Sequence, residues 1–341
     1  MQINYDLQDS ILAAIKTALK PSVSLVDEIA ECLSISNDSA YRRIRGETLF
    51  DIGDLEKLTK KYHLSLDSFF GLKKSTVSFH VQSINLTDFT LIDYFKSLEQ
   101  NLSALISEDH KHMFFSARDI PIFHLFQLHN LSSFKIFIWL KYYLNHPLLS
   151  NVKFDLSNIP EIVNEFSVLS KRIWSIYLKI PSTEIWTLET PNITLRQLEF
   201  SFQAGIVNIE TCDHLFAEYT SLLNHIQNQA KQGNKYTINT NATLEGAEFN
   251  MYFNEISIGD NSGLFIMGSK KMAYNTYGNL NFMSTTDEAY TNYIEHHFQT
   301  TMKNSTLISS SAEKIRSNFF NVLFRKVEMV KGKILDSTPL Y

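Results

Sequence analysis

The strongest constraint on this chain is the punctuation of its first 70 residues. Apolar residues recur at helical spacing in four short runs, and each run is cut off before it can lengthen. Ile11, Leu12, Ile15 and Leu19 line one face of residues 9–19, and Pro21 stops that segment. Leu25, Ile29 and Leu33 line residues 24–33, where Ser24 stands as N-cap ahead of Asp27 and Glu28. After the break "SIS", a third run covers 37–45 and ends at Gly46. A fourth covers about 51–62, with Ile52, Leu55 and Leu58 expected inward, and the stretch closes with "HLSLDSFFG". Helices this short do not persist alone in water, so they must pack on one another. Two of them joined by about three residues have the spacing of a helix-turn-helix.

The third helix carries the chemistry. Ala40 and Ile44 are four apart and share one face, which must pack on the second helix through Ile29 and Leu33. The opposite face presents Asp38, Arg42 and Arg45, flanked by Ser39, Tyr41 and Arg43. A thin apolar stripe under an arginine-rich outer face suits a helix that enters the major groove. Arg reaches guanine O6 and N7 bidentately, and Arg and Tyr both bond phosphates. Asn37, at the helix start, would offer its amide and free backbone N–H groups to the DNA backbone. Lys57, Lys60 and Lys61 follow on the next helix as candidate phosphate contacts. The expected DNA-binding set is therefore Asn37, Asp38, Ser39, Tyr41, Arg42, Arg43, Arg45, Lys57, Lys60 and Lys61. Residues 1–75 hold 10 Lys+Arg against 11 Asp+Glu, and the whole chain has net charge -5. That balance excludes a protein that coats nucleic acid with its whole surface and confines any contact to a local patch.

The segments "YRRIRGE", Tyr41–Glu47, and "LSLDSFF", Leu64–Phe70, resemble those of the lambda-repressor-like, XRE-type helix-turn-helix domains, and are most similar to the BetR-like branch. The likeness covers about residues 5–71. It implies a four- to five-helix DNA-binding domain whose residues 36–45 enter the major groove, with the surrounding Arg and Lys on phosphates. One position departs from the pattern. Where such domains carry an apolar residue three after the first core position, this chain has Arg43.

The remaining sequence suggests a mainly α protein with a smaller α+β C-terminal part. Residues 72–86 read as a linker or first strand, because Val77, Phe79 and Val81 alternate with polar residues. Residues 87–234 read as a helical domain for dimerisation or sensing, with helices at about 88–106, 121–145, 159–179, 192–204 and 210–232. Gly205 and Gly233 fall where helix C-caps belong. Residues 235–341 read as a mixed α+β domain. "NEISIGDNSGLFIMG" is expected to form two short strands around a turn. Helices at 288–304 and 311–331 follow, the last with a capping box from Ser310 to Glu313 and the stripe Ile315, Phe319, Leu323, Val327 and Val330. "FKIFIWLKYYL", Phe134–Leu144, is too short and too charged to span a membrane and reads as a buried helix.

The two cysteines, Cys32 and Cys212, are far apart and suggest core residues in a reducing cytoplasm. The histidine pairs His110/His112 and His296/His297 lack metal-site spacing, as do His124 and His129, and no cofactor is expected. No nucleophile elbow or phosphate-binding loop is evident, and Glu184, Glu189, Glu248 and Glu255 define no acid–base pair. "IPSTEIWTLETPNITL", Ile180–Leu195, is either an inter-helix corner or part of a ligand pocket. The expectation is a cytoplasmic, non-enzymatic, sequence-specific regulator of transcription. Its partners would be double-stranded DNA, a second copy of itself and possible small-molecule effectors. A DNA-targeted enzyme, or an antitoxin-like or scaffold protein whose first domain binds protein, stays open.

Overall fold

The computed structural model describes residues 5–19, 23–62, 64, 66–69, 77–82, 90–240, 246–256, 261–277 and 280–336. The chain divides into two compact units, Met1–Ser78 and Phe79–Tyr341.

The first unit is helical: α1 Tyr5–Ala18, α2 Leu25–Leu33, α3 Asn37–Ile44, α4 Ile52–Tyr62 and the short α5 Leu66–Phe69. Its core is small and drawn from each of the first four: Ile11, Leu12 and Ile15, Ile29, Ala30 and Leu33, Ala40, and Leu58. Ile44 and Leu55 pack against its edge. Ile52, expected inward, is 86% exposed. It occupies the first residue of α4, and the inward position of that turn is taken by Asp54. Within the closing stretch, His63, Ser65, Phe70 and Gly71 lie outside the described residues, as do 72–76 and 83–86 of the expected linker.

The second unit opens with the strand β1 His80–Gln82, then α6 Leu91–Ile106, which Thr90 and Asp93 start with a capping box. β2 Lys111–Ala117 leads through α7 Ile122–Leu125, α8 His129–Ile138, a π-helical turn Trp139–Tyr143, α9 Glu161–Asn164 and α10 Phe166–Tyr177 to β3 Ser182–Trp186. α11 Asn192–Gln203 and α12 Ile209–Gln232 then connect to β4 Phe249–Phe253. The expected helix over 121–145 is thus broken in two, and the one over 159–179 is split after Asn164. β5 Ser262–Met267, β6 Lys270–Tyr277, β7 Asn281–Thr285, α13 Glu288–Lys303, β8 Thr306–Leu307 and α14 Glu313–Asp336 complete the chain.

Among the described residues eight strands form one sheet in the order β1-β7-β6-β5-β2-β3-β4-β8. β2, β3 and β4 are parallel at its centre, and β5, β6, β7 and β1 add an antiparallel meander beside β2. The expected division at residue 234 is therefore absent. β2 and β3, from the supposedly helical region, lie between β5 and β4 of the supposedly separate C-terminal region. The helices of the parallel crossovers, with α6 and α14, bury the large core. On the other face α13 covers Ile185, Leu264 and Ala273 with Ile294 and Phe298.

Three local expectations also change. In "NEISIGDNSGLFIMG" the expected first strand falls mostly on residues 257–260, which lie outside the described residues; β4 ends before it at Phe253 and bonds β3 and β8, whereas the second, β5, bonds β2 and β6. The hairpin partner of β5 is β6, turned at Gly268 with φ 61. Ser310 does not cap α14. That helix starts at Glu313, two residues later than the capping box requires, and Ser310 itself takes φ 56 with its N–H on the Ala230 carbonyl. Of the expected stripe Phe319, Leu323 and Val327 are buried, but Ile315 is exposed, and Arg316 and Phe320 join the inward face.

Candidate nucleic-acid interface

Local chemistry builds the α2–turn–α3 pair. Ser24 accepts the N–H of Asp27 and starts α2. At its end Ser34 takes the left-handed conformation, φ 59, and the Ile35 N–H returns to the Ala30 carbonyl. Ser36 is already extended and accepts the Ser39 N–H at 3.3 Å, so it caps α3. The turn is therefore three residues, Ser34 to Ser36. At the far end Gly46, φ 73, donates its N–H to the Arg43 carbonyl and closes the helix.

Asn37, Asp38, Tyr41, Arg42 and Arg45 are exposed on α3 and its C-cap, while Ala40 is fully buried beneath them. Asn37 Nδ2 donates to Asp27 Oδ1 at 3.1 Å, which sets the first turns of α2 and α3 side by side. Ser39 is half-buried, and its hydroxyl pairs with that of Ser36 at 3.1 Å. Arg45 lies 5.7 Å from the Tyr41 ring centroid and 3.5 Å from Glu47, a contact so exposed that it contributes little. Arg42 makes no ion pair among the described residues. Arg42 and Arg45 are thus charges whose hydrogen-bonding capacity is largely directed at solvent.

Arg43 differs. Its side chain is 17% exposed, and Nε donates to Asp54 Oδ2 at 2.9 Å. Asp54 also accepts the Asp51 N–H, and Asp51 accepts that of Asp54, a reciprocal cap at the start of α4. Buried Gln8 completes the joint. Its amide donates to the Arg43 and Thr48 carbonyls at 2.6 and 3.0 Å and accepts the Phe50 N–H at 2.8 Å. Arg43, the departure from the family pattern, is therefore a clamp between α3 and α4 rather than part of the exposed face. Nothing in the sequence pattern signals Gln8 or Asp54 as its partners, whereas the cap Ser36, which reads only as part of the break "SIS", has a signal in its place directly before Asn37.

The lysines are also engaged. Lys57 Nζ donates to the Leu33 carbonyl at the end of α2, and Lys61 pairs with Glu28 on α2 at 3.0 Å. Tyr62 donates to the same Glu28 oxygen, Oε2, at 2.7 Å. The Tyr62 hydroxyl and Lys61 together hold the Glu28 carboxyl below its ordinary pKa, and Glu28 in turn raises Lys61. Lys60 pairs with Glu56 one turn away at 2.6 Å. The ten expected residues therefore fall into an outward group on α3, one internal clamp, and three lysines already matched by intramolecular acceptors.

A compact helical unit with a three-residue turn, a capped second helix and an outward arginine face defines a helix-turn-helix DNA-binding domain. Residues 16–113 match the family model described as the BetR domain. The match runs past the N-terminal unit into β2, well beyond residue 71. No curated protein and no solved structure matches the chain. Among the described residues no group of three or more His, Cys, Asp or Glu is arranged to hold a metal ion, and no helix is long and apolar enough to cross a membrane.

Proposed function

We propose that the protein is a cytoplasmic, sequence-specific transcriptional regulator of the XRE-like type, not an enzyme, that binds duplex DNA as a homodimer. The observation that carries this reading is the outward set Asn37, Tyr41, Arg42 and Arg45 on a capped helix of a helix-turn-helix pair, within the stretch that matches the BetR domain. Arg42 and Arg45 read base edges, and Asn37 and the free N–H groups of the first turn hold a phosphate. Lys57, Lys60 and Lys61 join only by exchanging their present acceptors for phosphates, so each adds less than a free lysine would. One such helix reads few base pairs, which is why a dimer on a two-fold site is part of the proposal. The second unit serves oligomerisation and effector sensing.

The test is selection of genomic fragments with the full-length chain, then competition of the enriched site against random DNA at two salt concentrations. A two-fold motif whose affinity falls steeply with salt supports the reading. Absence of binding even at low salt refutes it and makes α3 a protein-contacting or merely solvated helix.

A further inference from the structure

The second unit contains a cavity of about 410 Å³ at the carboxyl end of β2, where the parallel strands meet the antiparallel meander. Parallel sheets leave a crevice beyond their strand ends at such a change of direction, and ligands commonly settle there. β2, β5, β6 and β7 supply the floor. The loop 118–121, α6, the π-helical turn and α11 supply the walls.

The charges in this cavity are nearly all spent. Lys135, 2% exposed, donates to Asp119 at 2.6 Å, Thr194 at 3.1 Å and Gln197 at 2.7 Å, which uses all three of its protons. Asp119 accepts from Lys135 on one oxygen and from Thr194 and the Ile120 N–H on the other. This wall is internally neutral and saturated. The remaining charge is Arg118, exposed at the mouth and without an ion pair among the described residues. Its backbone is held in place: the Arg118 N–H donates to Asn261 Oδ1 at 2.7 Å, and the Asn261 carbonyl accepts the Thr276 N–H at 3.0 Å.

Below the mouth the cavity is apolar and aromatic, with Phe115, Phe265, Met272 and Phe282 on its surface. Hydroxyls interrupt it, those of Tyr94 and Tyr274 among them. Tyr94 and Tyr274 both line the cavity and have no hydrogen-bond partner among the described residues. Burial raises both, Tyr94 to about 12, so both are neutral donors. The Tyr274 ring lies over Gly263, where a Cβ would stand 2.1 Å from the ring edge, so the floor is shaped by the lack of a side chain.

From this cavity we infer a binding site for a small monocarboxylate with an apolar body. The carboxylate pairs with Arg118 at the mouth, the body lies against the phenylalanines, and a hydroxyl or carbonyl on the body meets Tyr94 and Tyr274. A single guanidinium beside an already neutralised aspartate matches one carboxylate in charge and in its two-pronged shape. It leaves a dianionic phosphate half uncompensated and offers a cation nothing. Binding itself stands on the cavity alone; only an effect of the ligand on DNA rests on the regulator reading above.

The test uses the full chain and titration calorimetry with 3-phenylpropanoate and octanoate, each beside its uncharged amide. The expected result is saturable binding of at least one acid, with its amide weaker by about tenfold or more. Arg118→Gln, at an exposed position, should weaken the acid about tenfold, leave the amide unchanged and leave melting unchanged. The proposal is overturned if neither acid saturates below about 10 mM, if acid and amide bind equally, or if Arg118→Gln leaves the acid unaffected. An acid that binds without altering DNA affinity would sink the effector reading and leave the site standing.

Discussion

Replacing Arg43 by Met separates a clamp from a DNA contact. Met keeps the apolar stem that packs between α3 and α4 and removes only the guanidinium. What remains is Asp54, 10% exposed in its side chain, with the Asp51 N–H at 3.3 Å as its surviving partner. Exposed ion pairs contribute about 0.2–1 kcal/mol and fully buried ones cost about 3–5 kcal/mol when one partner is removed. This pair, mostly but not wholly buried, falls between, at about 2 kcal/mol. The tryptophans all lie in the second unit, so the readout is amide hydrogen exchange in the intact chain over α3 and α4. About 2 kcal/mol less protection speeds exchange through global opening of the unit by about 30-fold. Asp54→Asn combined with Arg43→Met should recover part of the loss, because no buried carboxylate is then left without its cation. The reasoning is refuted if exchange changes by less than about threefold while affinity for the selected DNA site drops tenfold or more; Arg43 would then be a contact to the duplex.

Three further outcomes are expected. Arg42→Ala should cost about 1–3 kcal/mol of discrimination between the selected site and random DNA while leaving exchange in α3 unchanged, and equal weakening on both DNAs would disprove a base contact. Ser34→Gly should relieve the left-handed strain in the turn, φ 59, and add up to about 1 kcal/mol, seen as slower exchange across α2 and α3; faster exchange would mean that the serine side chain contributes more than the strain costs. Lys235 is fully buried, and desolvation pushes its ammonium down to about 7 although Glu184 acts in the opposite sense. The unfolded chain therefore binds more protons than the folded one between pH 7 and the ordinary lysine value of 10.5. Stability of the second unit should rise across that window by up to about 5 kcal/mol, and Lys235→Met should flatten the rise in tryptophan-monitored unfolding; an identical slope in both chains would disprove it.

How much could be read from residue order varies along the chain for physical reasons. In the first unit the relevant forces are local: Ser24 and Ser36 cap the helices they precede, Gly46 supplies a positive φ, and Ala40 with Ile44 marks the inward face. Those signals act within four residues, so residue order carries all of them, although "SIS" reads only as a break and leaves Ser36 unmarked. Ile52 fails because Asp54 takes the inward position of that turn, held by Arg43 from 11 residues away. In the second unit the helices α6, α11 and α12 carry their own periodicity and caps and emerge near their expected bounds. The central strands do not. β3, "STEIW", is buried on both faces, yet three of its five residues are polar, because its environment is supplied by β2 and β4 rather than by its own pattern.

The same strand explains why the polar interior was invisible. Glu184 lies in mid-strand with no exposure, and three donors reach it: His124 at 2.8 Å, Tyr177 at 2.6 Å and Trp186 at 2.8 Å. Burial alone would raise its pKa, but His124 and these donors outweigh it and hold the carboxyl below its ordinary value. Tyr177 donates to the carboxylate, and the Lys235 ammonium sits 3.8 Å from the Tyr177 ring centroid while bonding the Tyr177 and Ile180 carbonyls. A buried carboxylate is tolerated only when such partners are complete, because removing one leaves the others desolvated. The donors arrive from α7, α10 and the strand itself, and Lys235 from the segment after α12, so no spacing in the chain could announce them. Tyr177 also stacks on Phe123 at 4.4 Å, and Phe123 lines the cavity. The charged interior and the ligand cavity therefore share one aromatic wall. A ligand that displaced Phe123 would act on the ring that holds Glu184, which gives occupation of the cavity a short physical route into the centre of the sheet.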